Sequence, residues 1–505
     1  MSSKKNKGKK RKLSYGNKRL TKRNIPPNNI SIDTDSKFTK ALQYHQSGQL
    51  NKAEEIYKEI IGVNPNHSDS LHLLGVIANQ AGKNDTAVKL INKAIQCNPE
   101  NPIYYNNLGN ALKDQNQLTE ALSSYQKALE IKPDLAVAYF NLGNVYENQG
   151  KPVDAVSSFK KALEIKPDYV EAYFYLGTSL KGQSKWPEAI SCFQKALEIN
   201  PGLAEACNNI GSIFQDQGEL NTAISYFQRA LEIKPDLAVA YYNLGNVLKE
   251  QDNLTEAVSS FQKALEINPN YIEAYNNMGT TFKDQGRLDE AISCFQKALK
   301  INPNLVEVHN NLGNTFKDQG RLDEANSCFQ KALEINPDYA EAYNNMGNML
   351  MDQGNLADAV SSFKKALKIN PNLAEAYYNL GNALKDQNQL TEALSSYQKA
   401  LEINPDYAEA FSMLFHQLQQ TCAWQKLEVM TDKLDYFTTK ALDSGTKTAE
   451  APFVSLARHT DLSRNYAIAK SWSHDIDRAI STLKIHSSFD NRRSGKTKII
   501  VGYLS

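Results

Sequence analysis

Cysteine, histidine and tryptophan are scarce along these 505 residues, numbering 6, 8 and 3. Each scarcity removes a class of chemistry. The cysteines form no metal or disulfide framework: Cys192, Cys294 and Cys328 recur because they occupy one position of an internal repeat, and they read as small buried hydrophobes. The histidines, among them His45, His67, His309, His459 and His474, fall at no metal-ligand spacing, and no Ser or Cys motif marks a nucleophile. No apolar run is long enough to span a membrane, and the opening MSSKKNKGKKRKLSYGNKRLTKRN has no apolar stretch behind its charges, so it is not a secretory signal. The expectation is a soluble, intracellular, cytoplasmic chain without metal or cofactor.

Charge of one sign is also missing, but only in the total. The net charge is +1, yet eleven Lys and Arg, from Lys4 to Arg23, precede the first acid, Asp33. Without those eleven, 46 basic residues face 56 acidic ones, so a basic tail over 1–33 sits on an acidic body. Such a tail binds RNA, DNA or an anionic surface by counterion release, or it is simply solvated and disordered. Nothing in it suggests a platform of interleaved aromatics, and the second reading is preferred.

Against these absences stands a strict period. Prolines occur at 65, 99, 133, 167, 201, 235, 269, 303, 337, 371 and 405, each 34 residues after the last. A period in this range is the signature of a solenoid, in which each unit buries its apolar face on its neighbours. With positions numbered 1 to 34 in each of the eleven repeats from Thr34 to Tyr407, the proline is position 32. Position 20 is alanine in all eleven, position 8 is glycine from Gly75 to Gly381, position 27 is alanine from Ala94 to Ala400, and position 24 is usually aromatic, as at Tyr125, Phe159 and Phe261. Large plugs thus alternate with small sockets. Positions 4, 7, 8 and 11 share one helical face and 20, 24 and 27 another, which predicts two amphipathic helices per repeat, A and B. Position 15, for example Gly48, Gly82, Asn116 and Gly150, suits the left-handed residue that ends helix A. The proline stops helix B, and the Asp or Asn after it (Asp134, Asp236, Asn304, Asp406) is expected to cap the next helix A. The fold class is all-α, a superhelix of eleven helical hairpins.

On helix A, positions 2, 6, 9 and 13 lie opposite the apolar seam and line the wall of the expected groove. Position 6 is Asn107, Asn141, Asn209, Asn243, Asn277, Asn311, Asn345 and Asn379, interrupted by Tyr175. An asparagine amide both donates and accepts, so such a ladder can pair with the backbone of an extended peptide whatever its side chains. The blander reading is a solvated surface residue copied by duplication, since 107–131 and 379–403 are identical; the poor helix propensity of asparagine favours the ladder. Position 13 adds the acids Asp114, Asp216, Asp284, Asp318, Asp352 and Asp386, with Glu250, next to lysines at position 12 such as Lys283 and Lys385. These acids suit basic or Ser/Thr-rich segments, or are ordinary solubility charges. The expected partners are therefore proteins, in flexible or extended segments, with homo-oligomerisation left open.

The stretch 105–134, YNNLGNALKDQNQLTEALSSYQKALEIKPD, resembles the tetratricopeptide-repeat (TPR) consensus, and the resemblance runs over 34–407. Beyond it, a helical cap or connector is expected over 408–495. There TCAWQKLE (421–428) and APFVSLARHTDLSRNYAIAKSWS (451–473) resemble the connector of TPR-containing O-linked N-acetylglucosamine transferases and SPINDLY-like proteins, and KTKIIVGYLS (496–505) is similar to the strand that opens their catalytic region. The resemblance implies a right-handed superhelix and the arm of an enzyme that transfers N-acetylglucosamine from UDP-GlcNAc to Ser or Thr. One strand cannot form the two nucleotide-sugar-binding domains such an enzyme needs, so the polypeptide alone is not expected to transfer sugar or to bind the donor. The alternative is a free-standing scaffold for protein assembly.

Overall fold

A computed structural model describes residues 29–420, 424–445, 448, 461 and 463–471. The basic stretch 1–28, most of the connector beyond 445 and the strand expected over 496–505 lie outside the described residues. Every regular element among the described residues is a helix, and none is long and apolar enough to cross a membrane. The first helix, Asn29–Gln46, begins inside the stretch read as tail.

Each repeat folds as the predicted hairpin, shown here by the fourth. Its A helix, Ala136–Asn148, closes on Gly150 at φ 68°. The N–H of Lys151 then bonds the carbonyl of Tyr146 at 2.9 Å, the backbone pattern of a Schellman turn. A side chain at this left-handed position is tolerated where it is short and polar: Asn116, Asn388 and, unanticipated from the sequence, Ser184 and Asp252 also take positive φ. The B helix, Pro152–Ile165, starts on a proline and ends one residue before the residue that precedes the next. That residue is pushed into the extended region by the proline ring, as Asn302 shows at φ −136°, ψ 106°.

The expected cap after the proline does not form. The residue at the start of the next A helix is Leu135, Leu237 or Leu305, and none makes a side-chain cap bond. The asparagine before the proline organises the turn instead: Asn302 Oδ1 accepts the N–H of Asn304 at 3.0 Å, and Asn404 Oδ1 that of Asp406 at 3.1 Å. This is an Asx turn, which the Asp or Asn after the proline is too far along the chain to make.

The described residues form two compact units, divided between Pro269 and Asn270. Within each, the B helix of one repeat packs on the A helix of the next, and A helices of successive repeats also touch, whereas no pair of B helices among the described residues comes as close. The A side is therefore the inner side of each stack. Helices A and B approach closely because alanine at positions 20 and 27 leaves no bulk between them; Ala121, Ala128, Ala257 and Ala264 are fully buried. The ring at position 24 then packs directly against the glycine at position 8. Phe261 is fully buried, and a Cβ on Gly245 would stand 2.7 Å from its Cε1.

The helix Ala408–Gln420 continues the register past the eleventh repeat, but Phe415 stands where the socket glycine would be. The long helix Trp424–Asp443 covers this helix: the ring of Phe437 lies 5.1 Å from that of Phe411 at a 46° tilt, and Leu434 is fully buried in the same cluster. Arg464, in the helical stretch 463–471, reaches Asp435 at 2.9 Å. A solenoid end needs such a divergent cover for its last apolar face.

Gly245→Ala is expected to cost about 1–3 kcal/mol, because the ring of Phe261 has nowhere to retreat. Gly62→Ala, at a helical glycine with nothing within 4 Å, is expected to be neutral or to stabilise by about 0.5–1 kcal/mol. Amide exchange across residues 238–267 and 50–63 measures both, and equal effects would refute the socket.

Candidate peptide-binding face

The position-6 asparagines do line up on the inner side, but they are not free rungs. At five repeat boundaries the A helix is bound to the one before it through a pair of amides that a comparison of like positions does not reveal. Asn141 Nδ2 donates to Asn106 Oδ1 at 3.0 Å, Asn243 to Asn208 at 3.0 Å, Asn311 to Asn276 at 3.0 Å, Asn345 to Asn310 at 2.9 Å and Asn379 to Asn344 at 3.0 Å. The acceptor is always position 5 of the preceding repeat, and its burial (Asn106 4 %, Asn344 3 %) explains the pairing. A buried amide left unpaired costs about 1–3 kcal/mol, so the two residues satisfy each other across the repeat boundary. Asn276 and Asn344 also donate to Glu307 and Glu375, at position 2 of the next repeat, both at 3.1 Å. Position 5 thus anchors two groups of the following A helix.

Asn141 and Asn379 are buried, while Asn107, Asn209, Asn243, Asn277, Asn311 and Asn345 are half-buried. A clasped amide keeps one N–H and its oxygen outside this bond, so the ladder has less hydrogen-bonding capacity than its sequence suggests. Position 9 contributes further amides: Asn314 and Asn348 are half-buried, whereas Asn110 and Asn382 accept the hydroxyls of Tyr125 and Tyr397 at 2.8 Å.

The acids at position 13 are exposed at Asp114, Asp216, Asp284, Asp318, Asp352 and Asp386. Several are engaged by position 12 of the preceding repeat: Asn79 bonds Asp114 at 2.9 Å, Gln215 bonds Glu250 at 2.6 Å, and Lys283 pairs with Asp318 at 3.2 Å. Lys385 instead meets its own neighbour Asp386 at 3.3 Å. Of the adjacent opposite charges seen in the sequence, Lys283 thus acts across the repeat boundary and Lys385 within its own repeat. Such exposed pairs are each worth at most about 1 kcal/mol. Burial pushes the thiols of Cys192, Cys294 and Cys328 up to about 11, although only Cys294 is buried as expected and Cys192 and Cys328 are half-buried.

At the amino-terminal end the clasp uses a histidine. His72 occupies position 5, stacks 4.6 Å from Tyr104, and its Nε2 takes Asn107 Nδ2 at 2.7 Å, which requires a neutral ring. Burial holds its pKa down at about 4, against the pull of Asp69 and together with the repulsion of His45. A histidine neutral in the fold and protonated when unfolded adds stability above the unfolded value and loses it as pH falls from about 6.5 towards about 4. The amino-terminal repeats are thus expected to lose on the order of 3 kcal/mol across that window. His72→Asn, which keeps an acceptor, should abolish most of the loss. A His72 titrating near its ordinary value by NMR would contradict the clasp at this position.

Family models of tetratricopeptide repeats match residues 34–67, 75–116, 109–150, 136–169 and 374–407. The model of the C-terminal domain of cilia and flagella-associated protein 70 matches 170–375. Among solved structures, the chain is similar to YrrB, described as a TPR protein with an unusual peptide-binding site, at 34 % identity over 36 % of this chain and 95 % of that one, with a TM-score of 0.32. It is also similar to MamA, at 29 % identity over 32 % of this chain and 95 % of that one, with a TM-score of 0.31. No curated protein matches the chain. These matches carry the repeat and not the glycosyltransferase resemblance. Tetratricopeptide repeats imply a scaffold for protein–protein interaction. With its 34-residue register folded as stacked A and B helices and matched by repeat models at both ends of the span, the chain belongs to the tetratricopeptide-repeat family.

Proposed function

We propose that the A-helix face holds extended segments of other proteins. The observation that supports this reading most is the line of amides repeated at positions 6 and 9, flanked along one edge by the exposed acids of position 13. An extended segment carries unpaired backbone N–H and C=O groups at a regular rise, and the remaining N–H and oxygen of each asparagine suit them. Each such bond contributes about 1 kcal/mol, so binding is the sum of several repeats and broad in sequence preference.

A narrower reading rests on 421–428, 451–473 and 496–505, whose resemblance to O-GlcNAc transferases favours Ser/Thr-bearing segments as the cargo and a UDP-GlcNAc-dependent catalytic region as the destination. The free-standing scaffold differs from it only in having no donor chemistry. Reading the coding sequence beyond Ser505 separates the two. An in-frame catalytic region supports the transferase arm, and an immediate stop codon rules it out for this product.

The face itself is tested at asparagines outside the clasp. Asn314→Ala with Asn348→Ala is expected to weaken capture of flexible peptides by the full chain roughly tenfold, with helicity unchanged. Unaltered capture by the folded variant would overturn the reading.

A further inference from the structure

The amide clasp breaks at one place in the first unit. Position 5 is Phe140 in the fourth repeat and Phe174 in the fifth, rings that offer no acceptor. At position 6 of the repeats that follow stand Tyr175 and Asn209, and both depart from the rest of the ladder.

Tyr175 replaces the asparagine. Its ring meets Phe140 edge-on at 5.5 Å and Phe174 edge-on at 5.7 Å, and it lies 6.3 Å from Phe159 at a 30° tilt. Supported in this way it is still 38 % exposed, on the inner side of the stack. Asn209 keeps its amide, but the side chain makes no hydrogen bond among the described residues, unlike Asn243 one repeat later. One turn before Tyr175 on the same helix, Val170–Gly182, is Glu171, exposed and without an ion pair among the described residues. Residues four apart share a helix face, and a long side chain leans towards the preceding turn, so the ring inclines towards this carboxylate. The carboxylate at the same position of the next repeat, Glu205, is already held by Lys234 at 2.9 Å, and the preceding repeat has Val137 there.

We propose that Glu171, Tyr175 and Asn209 form a subsite for an arginine side chain carried by an extended polypeptide. The planar guanidinium stacks on the tyrosine ring and donates in bidentate fashion to the carboxylate, a combination that lysine cannot match. Asn209 supplies a whole amide to the backbone of the same segment. Neighbouring A helices lie about 8–10 Å apart and an extended chain rises about 3.3 Å per residue, so Asn209 meets backbone roughly three residues from the arginine. The subsite rests on the A-face reading above and gives a face of broad preference a fixed register.

The test uses the full chain and a flexible Gly/Ser peptide carrying one central arginine, citrulline or norleucine. Citrulline keeps the planar shape and removes the charge. The arginine peptide is expected to bind about tenfold more tightly than the citrulline peptide. Glu171→Gln and Tyr175→Asn should each remove most of that difference, and Glu171→Gln, at an exposed helix position, leaves the fold intact. Norleucine binding as tightly as arginine, or an arginine preference untouched by Glu171→Gln, overturns the subsite. If the three peptides bind alike and Asn314→Ala with Asn348→Ala still weakens all of them, the A-face reading survives and only the subsite fails. If none binds, both fail.

Discussion

The placement of an aromatic ring on a bare glycine backbone is the constraint from which the rest follows. Position 24 can lie against position 8 only if no Cβ intervenes, and the two helices can come that close only because positions 20 and 27 are alanine. That spacing is repeated with little variation from Gly109 with Tyr125 to Gly381 with Tyr397. It fixes each A helix against its B helix and brings successive A helices into contact on one side. Because protein interiors tolerate little change in volume, the repeats can vary at their surfaces while this joint stays constant.

Where the A helices meet, polar groups have to be satisfied, and the amide clasp between position 6 and the preceding position 5 does this. The clasp changes the meaning of the asparagine ladder. A row of amides that looks like a peptide-binding surface is in the first place part of the joint between repeats, and only what the joint leaves over is available to the partner proposed for this face. The proposed binding therefore rests on places where the joint is relaxed: asparagines of position 9 that lie outside the clasp, and the break from Phe140 to Asn209, where rings replace acceptors.

The hairpins, their sockets and the left-handed turn were legible in the sequence because a strict 34-residue period exposes every position eleven times. The amide pairing was not, because its partners stand 35 residues apart, one position off the repeat period, and a comparison of like positions never sets them side by side. Its trace was the sequence's one irregularity in the ladder: Tyr175 follows Phe140, an aromatic where Asn141, Asn243, Asn311, Asn345 and Asn379 follow an asparagine. The cap after the proline was misplaced for a related reason. Asp and Asn cap helices well, but the proline-bearing turn puts the residue before the proline, not the one after it, within reach of the open N–H. The wider resemblance to glycosyltransferases drew on stretches that lie largely outside the described residues.

The central claim is that the ladder is clasped between repeats at Asn243, Asn311 and Asn345 and open at Asn209. Water exchange of the asparagine side-chain amides, read by NMR on the free full-length chain, tests it most directly. The account predicts that one Nδ2 hydrogen of Asn243, Asn311 and Asn345 is protected while both hydrogens of Asn209 exchange as in an open amide. Equal, fast exchange at all four residues would contradict it.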